Sequence, residues 1–270
     1  MDVLVNASIQ ELNYEAYQQR QVQETEKKRW AERAKDLKVA NHFRYENRQW
    51  KGLSYEGFAV VSMLDANPGN TGVSQRLREI QSLLSTCFNK PSTCYMLPTE
   101  SFHQTIANTL SNSRFRENVK SKGLTDTYPA LVGKALENIP ASVHSQPIAM
   151  RLAGLSLFSN AIGLLGIFDN ENDFKRILNF REHLYTDPTL NQLTITRTRP
   201  FIGHITLAYL EKELSRQEKA LLINTGMAIN NDLGKEALHF SISQTELRSY
   251  QDLSHFHHQP GYPNYSFVCS

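Results

Sequence analysis

His103-Gln104-Thr105 and His204-Ile205-Thr206 are the residues of this chain whose types and spacing best suit chemistry. In an extended strand, residues two apart point to one face, so each histidine projects together with its threonine. An imidazole titrates near neutrality, and two of them can divide general base and general acid work. A threonine hydroxyl beside each can donate to the oxygens of a phosphoryl group and orient it. The neighbours Phe102, Ile106, Ile205 and Leu207 are apolar, which suits central strands lining a cleft. The tripeptide alone is common, since His239-Phe240-Ser241 also fits and reads as an ordinary strand segment. Matching positions in two similar units set the first two apart.

Those units follow a polar stretch, roughly Asn6 to Trp50, that has no Pro or Gly and is rich in helix formers from Glu15 to Lys38. It predicts a helical N-terminal extension over residues 1–50, one or two helices packed on the main body, with the main domain over 51–270. Tyr55 to Leu64 then reads as a buried strand and Asn67-Pro68-Gly69-Asn70 as a turn. Val73, Leu77, Ile80 and Leu84 have helical spacing, and Cys94–Leu97 and Phe102–Leu110 read as strands. The middle, Ser111 to Pro147, predicts short helices and a crossover. In the second unit, 149–158 and 162–168 read as a strand hairpin, 172–184 as a helix and 203–210 as a strand. Ser215 to Asn230 reads as a helix with Ser215 and Glu218 at capping-box spacing, and Leu238 to Leu247 as a closing strand. The expected fold is α+β, with two strand-helix-strand lobes, about 51–110 plus C-terminal elements and about 147–250.

The segment Arg199-Pro200-Phe201-Ile202-Gly203-His204-Ile205-Thr206-Leu207 closely resembles the second motif of the 2H phosphoesterases, a superfamily that includes bacterial and eukaryotic cyclic phosphodiesterases acting on nucleotides and RNA ends. Leu97 to Ile106 resembles the first motif, and Glu246 to His257 resembles the C-terminal part of a bacterial branch with no characterised activity. The likeness spans roughly Lys51 to Ser270, and only the two histidine motifs in it are highly specific. Relatives often carry Pro before the second histidine, where this chain has Gly203, a change in local backbone freedom that removes no catalytic group. The resemblance implies a bilobal, pseudo-twofold fold with the two strands facing each other across a water-filled cleft. It implies catalysis by His103 and His204 without a metal or cofactor, with Thr105 and Thr206 holding the non-bridging oxygens.

Composition narrows the partners. With 29 Lys plus Arg against 27 Asp plus Glu, the chain has no overall basic footprint for duplex DNA or an anionic membrane. A small phosphate ester needs only local charge; Arg151 and Arg199 are candidates to supply it, though either serves equally as a surface charge. No stretch reaches the ~18 apolar residues of a membrane span. Cys87, Cys94 and Cys269 form no CxxC pair, which suits a reducing, cytoplasmic location. His255, His257 and His258 sit beside Pro260, Gly261 and Pro263 and read as an extended tail rather than a metal site. Asn67 to Gly72 lacks the Lys-Ser/Thr ending of a phosphate loop. Phe256, Tyr262, Tyr265 and Phe267 could stack a base or simply pack. The expected function is hydrolysis of a nucleotide or RNA-end phosphodiester, 2′,3′-cyclic or 2′,5′-linked. The alternative is a nucleotide- or RNA-binding protein that keeps the cleft without turnover.

Overall fold

The polar N-terminal stretch is built around aromatic anchors. The computed structural model describes residues 9–236 and 238–269. Asn13 caps helix α1 (Tyr14–Glu24) by accepting from the Ala16 amide at 2.8 Å, and α2 (Lys27–Arg33) follows directly. Tyr17 and Trp30, one from each helix, are fully buried. The expected all-helical extension ends there. Residues 43–52 form a hairpin, β1 (Phe43–Glu46) and β2 (Gln49–Gly52), with Asn47 and Arg48 both at positive φ as a two-residue hairpin turn requires. Tyr45 and Trp50 are directly paired across it, so aromatic cross-strand contact outweighs helix propensity in this segment.

Strand β3 (Gly57–Met63) is buried throughout, and α3 (Thr71–Ser85) buries Val73, Leu77, Ile80 and Leu84 on the face their spacing marks out. The strands β4 (Cys94–Met96) and β5 (His103–Ser111) come next, then the short helix α4 (Asn112–Asn118) and α5 (Tyr128–Glu137). The expected strand hairpin of the second unit forms from β6 (Ile148–Leu157) and β7 (Ala161–Phe168), which pair antiparallel. Helices α6 (Glu171–Thr186) and α7 (Pro188–Gln192) lead to β8 (His204–Leu210). Helix α8 (Arg216–Leu233) starts with the capping box of Ser215 and Glu218.

The closing segment does not form one strand. It splits into β9 (His239–Ile242) and β10 (Gln244–Tyr250), which belong to different sheets. Phe240 and Ile242 share one parity and the buried Leu247 has the other, so no single strand can bury all three on one face. The C-terminal residues are not a free tail either: β11 (Phe256–His257) and β12 (Asn264–Ser266) both pair with β10.

Two five-stranded antiparallel sheets result. One has the order β11-β10-β3-β5, with β12 also on β10; the other runs β4-β8-β7-β6-β9. Neither is a contiguous half of the chain, because β4 joins the later strands and β10 returns to the earlier ones. The expected lobe boundaries are exchanged at those two strands. Helices cover the sheets and share one large apolar core with them, into which α1 and α2 are built through Tyr17 and Trp30. No described helix is long and apolar enough to cross a membrane.

Candidate active site

Strand β5 is an edge of the first sheet and β8 lies inside the second, and the two meet at Gln104. The fully buried Gln104 accepts from the His204 amide through Oε1 at 2.6 Å, and its Nε2 donates to the Thr105 carbonyl at 2.7 Å. The middle residue of the first motif thereby fixes the backbone of the second. Arg181, 3% exposed, ties the same two stretches together: it donates to the Ile106 carbonyl on β5 at 2.7 Å and to the Arg199 carbonyl ahead of β8 at 3.0 Å. Its charge is met by Glu11 at 2.7 Å, whose other oxygen accepts from the Phe201 amide.

Both strands carry bulges, and the bulges decide what faces the cleft. On β5 the partly exposed positions are His103, Thr105, Asn108 and Ser111; on β8 they are His204, Thr206 and Tyr209. The register slips between Val60 and Val61 opposite β5 and between Ile162 and Gly163 opposite β8. Each slip converts spacing by two into spacing by three, which turns Asn108 and Tyr209 inward in place of Ala107 and Ala208. All seven side chains line one cavity of about 500 Å³, together with His42, Tyr55, Arg199 and Phe256.

The two histidines have matching environments. His103 Nδ1 lies 2.7 Å from the Ser101 carbonyl and His204 Nδ1 lies 2.9 Å from the Ile202 carbonyl. A carbonyl only accepts, so each Nδ1 carries the proton and each neutral ring keeps its Nε2 lone pair. Phe256 packs on His103 with ring centroids 4.2 Å apart, and Phe158 on His204 at 5.1 Å. Burial pushes both imidazoles down to about 4; Arg248 adds to this at His103, and Arg199 and His103 add to it at His204. At pH 7 the cleft thus presents two neutral imidazoles beside two hydroxyls.

Arg199 is at the cleft, and with the Asn108 amide turned oxygen-inward it donates to that oxygen from Nη2 at 3.0 Å and Nε at 3.2 Å. Burial lowers the Arg199 pKa from its ordinary value. Arg151 lies outside the cavity, paired with Asp169 at 2.8 Å, and His239 meets the other oxygen of the same carboxylate at 2.7 Å. The C-terminal histidines also diverge: His255 pairs with Asp252 and His258 approaches Glu246. Among the described residues, no three His, Cys, Asp or Glu side chains converge as a metal site would need. Of the C-terminal aromatics, only Phe256 reaches the cavity; Tyr265 and Phe267 pack on Phe180. Tyr262 lines a second cavity of about 590 Å³ that holds neither motif histidine.

Gly203 has no need of backbone freedom, since its φ is not positive. It is a matter of space. A Cβ there would lie 2.4 Å from the Tyr17 hydroxyl and 2.8 Å from the Met150 sulfur. The Gly203 carbonyl accepts from Gln21 Nε2 at 2.8 Å and from the Gly166 amide at 3.0 Å, so α1 grips the residue immediately before His204.

No family model matches the sequence, and no curated protein does. Solved structures align with much of the chain. ATU0111, a conserved protein of unknown function from Agrobacterium tumefaciens strain C58, aligns over 85% of this chain and 91% of its own at 18% identity and a TM-score of 0.56. TT0787 of Thermus thermophilus aligns over 78% and 97% at 14% identity and a TM-score of 0.43. The likeness to ATU0111 concerns the fold alone.

Proposed function

We propose that the chain is a two-histidine phosphodiesterase of the 2H type, acting on a 2′,3′-cyclic or 2′,5′-linked phosphodiester of a nucleotide or RNA end. The observation that carries this reading is the pair of His-x-Thr motifs on adjoining strands in one cavity, each with Nδ1 fixed on a backbone carbonyl and Nε2 left for substrate. In hydrolysis of a cyclic phosphate, water attacks phosphorus and gives its proton to one neutral Nε2. The bond to one ribose oxygen breaks, and that oxygen takes a proton from the other, protonated imidazole. Thr105 and Thr206 hydrogen-bond the non-bridging oxygens, and Arg199 supplies local positive charge. A bound phosphate anion favours the imidazolium form that burial alone disfavours.

The test is turnover of nucleoside 2′,3′-cyclic phosphates and 2′,5′-linked dinucleotides by the wild type, His103→Ala and His204→Ala. Each variant is expected to lose between about a hundred- and ten-thousand-fold in kcat. Retained turnover in either one rejects the two-imidazole mechanism. Binding without turnover by the wild type transfers support to a nucleotide-binding role for the same cleft.

A further inference from the structure

A third imidazole enters the cavity from outside both motifs. His42 belongs to the link between α2 and β1, and it reaches the cleft because the end of β8 holds its backbone. The buried Glu211 carboxylate, just past β8, accepts from the amides of His42 and Phe43, both at 3.1 Å. Ala40 donates to the Leu210 carbonyl at 2.7 Å, Leu53 donates to the His42 carbonyl at 2.8 Å, and Asn41 takes the positive φ that the turn into the cleft needs. The ring lies nearly perpendicular to two phenols, Tyr55 at 5.0 Å and 76° and Tyr209 at 5.3 Å and 81°.

Such contacts fix a ring plane yet leave its nitrogens unused. Among the described residues neither ring nitrogen of His42 has a hydrogen-bond partner, and neither is fully buried although the residue lines the cavity. Burial pushes this imidazole down, so at neutral pH it offers one N–H donor and one nitrogen acceptor. Tyr55, Tyr209 and the nearly parallel Tyr250 add flat aromatic surface at the same end. Tyr209 is three residues past Thr206, about 10 Å along a strand. A nucleoside spans a comparable distance from its phosphate to the far edge of its base.

Resting on the phosphodiesterase reading of the cleft, we infer that His42 is a specificity-determining residue. It hydrogen-bonds the edge of a nucleobase held among Tyr55, Tyr209 and Tyr250, so the substrate is a nucleoside phosphodiester and not a bare sugar phosphate. The N-terminal arm would then contribute to recognition and the two motif strands to the phosphoryl chemistry.

The experiment compares nucleoside 2′,3′-cyclic phosphates with methyl riboside 2′,3′-cyclic phosphate, which lacks a base, on the wild type, His42→Phe and His42→Gln. His42→Phe keeps the edge contacts and removes both nitrogens. It should raise KM for the nucleoside substrates about tenfold, leave kcat within about twofold and leave the base-free substrate unchanged. His42→Gln, with a donor and an acceptor restored, should recover part of the difference. An unchanged preference for the base in His42→Phe, or equal losses on both substrates, overturns the assignment. If the wild type turns over neither substrate, the phosphodiesterase reading fails separately. The base preference is then measured by calorimetric titration with nucleoside 2′-monophosphates and methyl riboside 2′-phosphate, and the same two outcomes decide it.

Discussion

Each cleft imidazole gives its Nδ1 proton to the main chain, so its environment restrains both the tautomer and the tilt of the ring. Two pH effects follow. The folded pKa of about 4 lies below the ordinary value of 6.5 at both sites, so between those values the unfolded chain binds protons that the folded chain refuses. Stability should fall as pH drops through that window. His103→Gln/His204→Gln should flatten the dependence, as read from urea midpoints at pH 5 and pH 8; an unaltered slope would show that the acid sensitivity lies elsewhere. The proposed mechanism needs one neutral and one protonated imidazole, a form that becomes scarcer in the free protein as pH rises above about 4. kcat/KM is therefore expected to rise on acidification from pH 8 to pH 5, with kcat peaking nearer neutrality because the bound phosphate anion retains the proton. The histidines and threonines were legible because spacing by two fixes a shared face. Asn108 and Tyr209 were not, because a bulge reverses parity without a mark in the local composition. His42 was hidden by distance, since only the fold brings it to β8.

At the scale of elements, the grip of α1 on the residue before His204 makes Gly203 a packing position. Gly203→Ala puts a methyl group 2.4 Å from the Tyr17 hydroxyl and is expected to cost about 1–3 kcal/mol in a denaturant titration. Adding Tyr17→Phe, which removes that hydroxyl, should restore part of the loss. A neutral Gly203→Ala would mean that α1 is free to move off the strand. The strands and helices themselves followed from alternation, helical spacing and the capping box of Ser215 and Glu218. Two features escaped that reasoning for a physical cause. The hairpin of β1 and β2 depends on aromatic pairing across its strands, and the split at Ser243 on a parity break whose partner strands are remote in sequence.

The molecule as a whole treats its N-terminal helices as core. Trp30 donates its indole N–H to the Leu155 carbonyl at 3.1 Å and fills the space above Gly226, where an added Cβ would lie 2.3 Å from the indole ring. Trp30→Ala should cost about 3–5 kcal/mol, measured by denaturation. A loss below about 1 kcal/mol would mark the extension as a detachable appendage. Its sparse apolar residues gave no sign of this, because two large aromatics perform the packing that a longer apolar stripe usually supplies.

The same arm has a consequence in time. The bonds from Tyr17 to Gly166, from Gln21 to Gly203 and from Phe201 to Glu11 join residues 149, 182 and 190 positions apart. Contacts of such separation close late, after the nearer strand pairs have condensed. Refolding should therefore bring back sheet structure before the fluorescence of buried Trp30, and ligand binding last. Maturation of the site is then set by the docking of a segment that is synthesised before the strands it locks.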